Sequence, residues 1–208
     1  MWCGLLTTAR PLPAPLRTLF SPRTLAAVLM RYQQGTLRYN EFALASLMRR
    51  GHHIGMWVHY IWVDSRASLW GGRQIWGLPK QMAEFTWADH HVHITDAAGQ
   101  LAALSLIPRA QRGPVVPIRL GGFGHANSTL LLATATARGR IRPASIKVTA
   151  WADHLPQLAR TSAHYGLVVA PIRITAHAPK HLGPLPSPPA DTPSPAKPRP
   201  TERSHFRY

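Results

Sequence analysis

Residues 71–85 of this chain read Gly71-Gly72-Arg73-Gln74-Ile75-Trp76-Gly77-Leu78-Pro79-Lys80-Gln81-Met82-Ala83-Glu84-Phe85. Lys80 is the one amine in this stretch, and most of its neighbours are apolar. Only four of the 24 basic residues of the chain are lysines, so arginine is the usual cation here. Arginine stays protonated, whereas a buried lysine can lose its proton and become a nucleophile. A lysine in this stretch therefore indicates that an amine is needed rather than a charge.

The chemistry that such a lysine favours is Schiff-base formation. A neutral lysine attacks a ketone, and the resulting iminium accepts the electron pair released when a carboxylate or proton leaves. Arg73 lies seven residues earlier and would support the pocket electrostatically or hold a substrate carboxylate. The pattern alone leaves an alternative open, in which Lys80 is a surface lysine beside a proline turn.

The composition sets limits on compartment and partners. The chain has 208 residues and a formal charge of +16, which favours anionic partners. No compact block of basic residues occurs, so no nucleic-acid partner is expected, although the charge leaves an anionic polymer open as an alternative partner. Cys3 is the single cysteine, which fits a reducing compartment. Residues 1–8 make a poor signal peptide and no stretch reaches membrane-spanning length, so we expect a cytoplasmic protein without membrane association.

The first half of the chain predicts mainly strands. Residues 52–63 are rich in β-forming side chains, and both faces of the run are largely apolar, which predicts a strand with little solvent exposure. Residues 24–30 fit a helix or a strand equally well. Residues 64–68 would begin one helical turn that Gly71-Gly72 then breaks. Pro79 would start a short helix over residues 80–84. Strands follow at 85–87 and 91–96, with a hairpin at 97–100 leading into 101–107.

The second half predicts fewer elements. Residues 108–128 are expected to be a loop, 129–137 and 141–151 two strands joined by a turn at Gly139, 152–164 a helix, and 167–176 the last strand. The domain prediction is an extended Pro-rich lead-in over 1–23, a folded domain over 24–178, and a disordered Pro-rich basic tail over 179–208. The fold class is mainly β, α+β in detail, with a few short helices.

Residues 72–83 resemble the signature of the acetoacetate decarboxylase family, in which a Gly-Arg pair precedes a Pro-Lys pair. A second match is Tyr39-Asn40-Glu41, which stands 39 positions before Lys80, as the glutamate of that family does. The resemblance covers residues 28–107 well and extends more weakly to 176. It implies an antiparallel β barrel or cone around an apolar pocket, and a homo-oligomer.

The resemblance also implies roles for individual residues. Lys80 would be the Schiff-base lysine of a lyase that decarboxylates a small keto acid, and Glu41 would position substrate or move protons. Arg73, Tyr39, Trp76, Leu78 and Met82 would form the pocket. No metal or organic cofactor is expected, because the iminium itself is the electron sink.

Two departures from the family pattern bear on the substrate. Gln81 stands where decarboxylases have a second lysine, and Arg10 and Arg17 are only guesses for the family's N-terminal arginine. These departures keep two alternatives open: a Schiff-base aldolase or dehydratase, and a protein that binds a small ligand on the same fold without catalysis. His90, His91 and His93 lack a third ligand with suitable spacing, so no metal site is expected.

Overall fold

A computed structural model describes residues 1–159 and 164–185 of the chain. Most of these residues lie in strands, and the described part contains one helix. The elements are β1 (Trp2–Thr7), β2 (Arg17–Thr18), β3 (Thr24–Tyr32), β4 (Tyr39–Arg50), β5 (His53–Val63), α1 (Arg66–Trp76), β6 (Lys80–Met82), β7 (Glu84–Ala88), β8 (His91–Asp96), β9 (Gly99–Pro108), β10 (Val115–Ala126), β11 (Thr129–Trp151), β12 (His164–Ala176) and β13 (Lys180–Pro184).

Seven strands close into a barrel. Their order is β10-β5-β4-β3-β1-β12-β11, and β11 pairs back onto β10 along its first half. The second half of β11 pairs with β9, so β9, β8 and β7 extend the sheet beyond the ring. The pairs are antiparallel except at β5, whose free edge takes both β10 and β6 in parallel. The predicted mainly-β fold is confirmed, as a large mixed sheet.

Two apolar clusters fill the interior. The larger contains Phe42, Leu44 and Trp62 from β4 and β5, together with the inward residues of β3, β8, β9 and β11. The smaller contains Met48 and Phe123 and lies toward the other end of β4 and β5. Within the described ranges, no helix is long and apolar enough to cross a membrane.

The N-terminal residues depart from the predicted lead-in. Residues 2–7 form β1, which lies between β3 and β12 in the barrel. The reason is alternation: Gly4 and Leu6 face inward while Leu5 and Thr7 face outward. The residues that follow fit the extended Pro-rich description better, with only the two-residue strand β2 among them.

Both predictions around the central stretch were wrong about local structure. The helix does not stop at Gly71-Gly72 but continues to Trp76 and ends at Gly77, whose backbone is left-handed with a φ of 61°. The short helix expected over 80–84 is instead β6, because Lys80–Met82 finds hydrogen-bonding partners on the free edge of β5. In both cases tertiary contacts outweigh the local preference.

The predicted loop over 108–128 is largely strand β10. Its glycines Gly121 and Gly124 permit the close approach that this strand needs: a Cβ at Gly121 would lie 2.9 Å from the carbonyl oxygen of Ile54, and one at Gly124 would meet the carbonyl of Trp76. The glycines therefore serve close packing rather than a turn. Likewise Gly139 lies inside the continuous strand β11, at a bulge opposite β12, and not at a turn between two strands.

The C-terminal predictions differ in outcome. The helix predicted over 152–164 is absent from the described residues 152–159, which form turns and one bridge between Leu158 and Thr8. The tail was predicted to start at 179, yet Lys180–Pro184 pairs with β11 as β13. Residues 186–208 of the predicted tail lie outside the described residues.

Candidate active site

Helix α1 covers the side chain of Lys80. The helix begins after Ser65, whose hydroxyl accepts a hydrogen bond from the backbone N–H of Ser68 at 3.3 Å. Gly72 lies one turn further on and presents no side chain to Lys80: a Cβ there would lie 2.6 Å from Lys80 Cε and closer still to Cδ. Lys80 can pass beneath α1 only because residue 72 is a glycine.

The backbone around Lys80 is fixed on both sides. Leu78 donates its N–H to the carbonyl of Gly72 at 3.0 Å, and its own carbonyl accepts from Lys80 at 2.8 Å across Pro79. This tight turn delivers Lys80 to the edge of β5, where it pairs with Ile61. Arg73 Nε donates to the carbonyl of Lys80 at 2.8 Å. This bond holds the main chain of Lys80 and does not involve its amine.

The Lys80 amine has three neighbours. Lys80 Nζ lies 2.7 Å from Glu41 Oε2 and 2.8 Å from Ser68 Oγ, and it stands 5.4 Å from the centre of the Tyr39 ring. Two acceptors and one aromatic face match the three N–H bonds of an ammonium group. The Lys80 side chain is 6% exposed and that of Glu41 13%. The ion pair is therefore nearly dry.

Tyr39 contributes a second hydrogen-bond donor to Glu41. Burial, with the Glu41 carboxylate as the second cause, raises the pKa of Tyr39 well above its usual value. The phenol thus stays protonated, and its hydroxyl donates to Glu41 Oε2 at 3.4 Å. Tyr39 also stacks on Tyr32, with ring centres 4.4 Å apart. One oxygen of Glu41 therefore receives both the Lys80 amine and the Tyr39 hydroxyl.

The residue beside Glu41 is held in place by a separate polar cluster. Asn40 donates from its backbone and its side chain to the two oxygens of Asp64, each at 2.7 Å. Its amide oxygen accepts from Trp87 Nε1 at 3.0 Å. Asp64 follows β5 directly, so the cluster ties the start of β4 to the end of β5 and fixes Glu41 between them.

The other predicted pocket residues occupy different positions. The Trp76 indole donates to the carbonyl of His177 at 3.2 Å. Leu78 is half-buried in the turn before Lys80, and Met82 is 40% exposed at the end of β6. Ser68 was missed as a neighbour of the amine. The spacing of Ser65 and Ser68 is that of a helix cap and its first turn, which places Ser68 on a helix but does not indicate its contact with Lys80.

A cavity of about 270 Å³ lies on the far side of the Gly77–Pro79 turn. Pro79 lines it, but Lys80 and Glu41 do not. Its wall includes His59, which is the extra residue of a β-bulge, since Tyr60 pairs with Leu44 and Val58 with Ala45. The lining residues are Leu12, Pro13, Trp57, Val58, His59, Tyr60, Gly77, Pro79, Phe123, Gly124 and His125.

The hydrogen bonds of His59 define its tautomer. Ser46 Oγ donates its single hydrogen to the carbonyl of Thr24 at 3.0 Å. His59 Nε2, 3.0 Å from the same oxygen, must therefore be the donor, which leaves Nδ1 as an acceptor. Burial lowers the pKa of His59 to about 4, so the ring is neutral near neutral pH.

The three histidines at β8 lie on the surface. His91 and His93 are exposed on β8, and His90 lies in the turn before it. The described part of the chain contains no cluster of three or more His, Cys, Asp or Glu side chains suited to a metal ion.

Comparison with known proteins shows one family similarity and one shared fold. The family model of acetoacetate decarboxylase (ADC) matches residues 7–104, which contain Glu41, Ser68 and Lys80. The fold agrees: the ADC from Legionella pneumophila has a TM-score of 0.56 at 14% identity, covering 88% of this chain and 84% of that one. Residues 7–104 of this chain are thus similar to the acetoacetate decarboxylase family, and the chain has the ADC-like fold.

Two further ADC-like structures share the fold. The enduracididine biosynthesis enzyme MppR, in complex with the condensation product of pyruvate and imidazole 4-carboxaldehyde, has a TM-score of 0.61 at 16% identity, covering 88% of this chain and 87% of MppR. An ADC-like enzyme from Sphingomonas wittichii RW1 has a TM-score of 0.55 at 17% identity, covering 88% and 91%. No curated protein sequence matches this chain significantly. The ADC-like superfamily thus includes decarboxylases and related enzymes.

Proposed function

We propose that this protein is a Schiff-base lyase that acts on a small keto acid through Lys80, with decarboxylation as the reaction. The observation that carries the proposal is the contact between a buried amine and a carboxylate, Lys80 Nζ to Glu41 Oε2 at 2.7 Å, within the residues that the family model matches. The arrangement offers a nucleophile, a proton acceptor within hydrogen-bond reach, and a nearly dry environment.

The proposed reaction begins with proton transfer. Glu41 takes a proton from the Lys80 ammonium, and the freed electron pair attacks the substrate ketone. The carbinolamine loses water to give an iminium. The bond to the carboxylate then breaks, CO2 leaves, and its electron pair moves through the α-carbon to the iminium nitrogen. Protonation of the enamine carbon and hydrolysis release the product and restore the amine. Glu41 and Tyr39 are the proton carriers in reach.

Two residues serve this reaction by position. Ser68 accepts a hydrogen bond from the Lys80 amine at 2.8 Å and orients it. Arg73 fixes the backbone of Lys80 through Nε, and its guanidinium carries charge that a substrate carboxylate would meet. Leu78, Trp76 and Met82 supply apolar surface around the turn. A cytoplasmic location and a homo-oligomeric state belong to the same proposal.

A second candidate is a Schiff-base aldolase or dehydratase. MppR, which shares the fold, is known in complexes with pyruvate and with a condensation product of pyruvate. Gln81 in place of a second lysine also separates this chain from the decarboxylases. The same iminium would form on Lys80, but the enamine carbon derived from it would add to an aldehyde instead of taking up a proton.

A third candidate is a protein that binds a small ligand without catalysis. The observation that favours it is the cavity beside Pro79, which the Lys80 amine does not line. An apolar ligand would occupy this space without meeting the amine.

Borohydride trapping tests the three candidates together. The full chain is incubated with a panel of keto acids and borohydride, and adducts are located by intact mass and peptide mapping. We expect a reduced adduct on Lys80 that Lys80→Ala and Lys80→Met abolish. Lys147→Ala removes an exposed lysine of β11 and should leave the adduct unchanged. CO2 release then separates decarboxylation from aldol chemistry. A folded protein that forms no adduct with any keto acid would favour ligand binding.

A further inference from the structure

A second cationic site lies where β9 ends beside β11. A hollow of about 440 Å³ is lined by His90, Ile107, Pro108, Arg109, Ala110, Gln111 and Arg142. Arg109 follows β9, Arg142 belongs to β11, and His90 lies in the turn before β8. No residue of this lining is acidic. The hollow is separate from the Lys80 site, with which it shares no residue.

Both arginines are held in place by neutral partners. Arg109 Nε donates to the hydroxyl of Ser145, and the guanidinium stands 5.2 Å from the centre of the Tyr165 ring. Arg142 Nη1 donates to the carbonyl of Gln111 at 3.4 Å. Neither guanidinium forms an ion pair with a carboxylate of the described residues. Residues 1–159 and 164–185 therefore place two positive charges at one hollow without supplying a carboxylate counter-ion.

One donor at this site is left unused. Arg142 Nε is buried and has no hydrogen-bond partner among the described residues. A buried donor without a partner is costly, and it is more so on a charged group. Like charges at one site also repel each other. Arg142 Nε is shielded from solvent, so a negatively charged ligand in the hollow would relieve the repulsion between the two guanidinium groups and not the cost of this donor.

We propose that the hollow between Arg109 and Arg142 binds a small oxyanion with at least two negative charges, such as a phosphate group or a dicarboxylate. Guanidinium groups match such anions because their planar N–H donors bind two oxygens at once. His90 at the rim adds a further donor. The volume exceeds that of a single phosphate, so it admits a phosphorylated or carboxylated small molecule.

Calorimetric titration of the full chain tests the site. The probes are inorganic pyrophosphate, inorganic phosphate and succinate, in about 0.15 M salt to screen exposed charges. We expect one site, weakened about tenfold by Arg109→Gln and by Arg142→Gln. Arg119→Gln changes the net charge equally at an exposed position of β10 and should weaken binding by less than about twofold. Tighter binding of the phosphates or of succinate would identify the ligand source.

Equal losses in all three variants would overturn the proposal, because they would indicate general charge attraction. Absence of binding by every probe would overturn it too. Should a variant fail to fold, arginine modification of the wild-type chain by phenylglyoxal gives a second measurement. Pyrophosphate should slow modification of Arg109 and Arg142 but not of Arg119. Unchanged rates at Arg109 and Arg142 would contradict the site.

Discussion

The molecule holds cations in two contrasting ways. At the candidate active site, the Lys80 amine is buried beneath α1 and meets a carboxylate of the chain, Glu41, at 2.7 Å. At the hollow beside β9, the partners that the described residues offer to Arg109 and Arg142 are a hydroxyl, a carbonyl and an aromatic ring. A cation with an internal counter-ion can transfer its proton within the site. Cations without one keep their charge and attract an anion from outside, so the placement of the acidic residues in the described part of the chain decides what each of these two basic sites can do.

The largest expected effect comes from removing the carboxylate. Glu41→Ala leaves the Lys80 ammonium buried without a partner, and we expect a loss of about 3–5 kcal/mol in the free energy of unfolding. Chemical denaturation measures it. The double variant Lys80→Met/Glu41→Leu should recover most of the loss, because replacing both charges by apolar groups removes the unpaired charge.

Arg142→Met is the matched test at the other site. It removes a cation that has no carboxylate partner among the residues that the structure describes, so the free energy of unfolding should change by less than about 1 kcal/mol. The contrast between the two regions would fail if Glu41→Ala proved as mild as Arg142→Met.

The second-largest effect is a loss of stability at low pH, and it comes from His59. This half-buried ring has no carboxylate partner among the described residues. Its pKa is about 4 in the folded chain and 6.5 ordinarily, so the unfolded chain binds the proton first as the pH falls. Stability is therefore lost between pH 6.5 and 4, by roughly 3 kcal/mol in all, and then levels off. Denaturation at a series of pH values measures this loss.

His59→Asn should flatten that part of the pH profile relative to the wild type. His93→Gln changes an exposed histidine of β8 and should leave the profile unchanged. Parallel profiles for wild type and His59→Asn would contradict the prediction, because they would show that folding does not lower the pKa of His59.

The smallest effect tests how tightly α1 covers the amine. Gly72→Ala places a Cβ 2.6 Å from Lys80 Cε, so the lysine must shift. We expect a net loss of about 1–3 kcal/mol in stability and less borohydride adduct, despite the better helix propensity of alanine. Thermal unfolding and peptide mapping provide the two measurements.

Gly71→Ala is the neighbouring control. Its Cβ would meet nothing nearer than Trp76 Cζ3 at 4.0 Å, so it should stabilise α1 by about 0.5–1 kcal/mol. If both alanine variants were equally stable, Lys80 would not be packed beneath the helix.

Local patterns succeeded where a segment's own residues decide its structure and failed where a neighbour does. The strand over 52–63 was predicted nearly to its observed bounds, His53–Val63, because both its faces are apolar. The helix was cut short at Gly71-Gly72, since glycine is a poor helix former and the sequence does not show that Lys80 needs the space. Strand β10 was missed because its glycines are typical of loops, whereas here they allow close contacts with β5 and α1.

Part of the candidate site could likewise be predicted from the sequence. The motif around Lys80 and the 39-residue separation from Glu41 indicated which two residues to pair, and the structure places their side chains in contact. Their catalytic roles stay predictions. The contact of Ser68 with the amine and the exact position of Arg73 could not be predicted, because each depends on how α1 packs on β6.

The sequence by itself indicated the resemblance to the acetoacetate decarboxylase family, the mainly-β class and the pairing of Lys80 with Glu41, because these follow from motifs and from alternating apolar residues. Only the tertiary structure decided that the barrel closes through β10 and β11, that α1 covers the amine, and that Arg109 and Arg142 share one hollow. Arg109 and Arg142 are 33 positions apart in the chain and belong to no common motif. Their proximity results from the register between β9 and β11, which backbone hydrogen bonds and core packing set together.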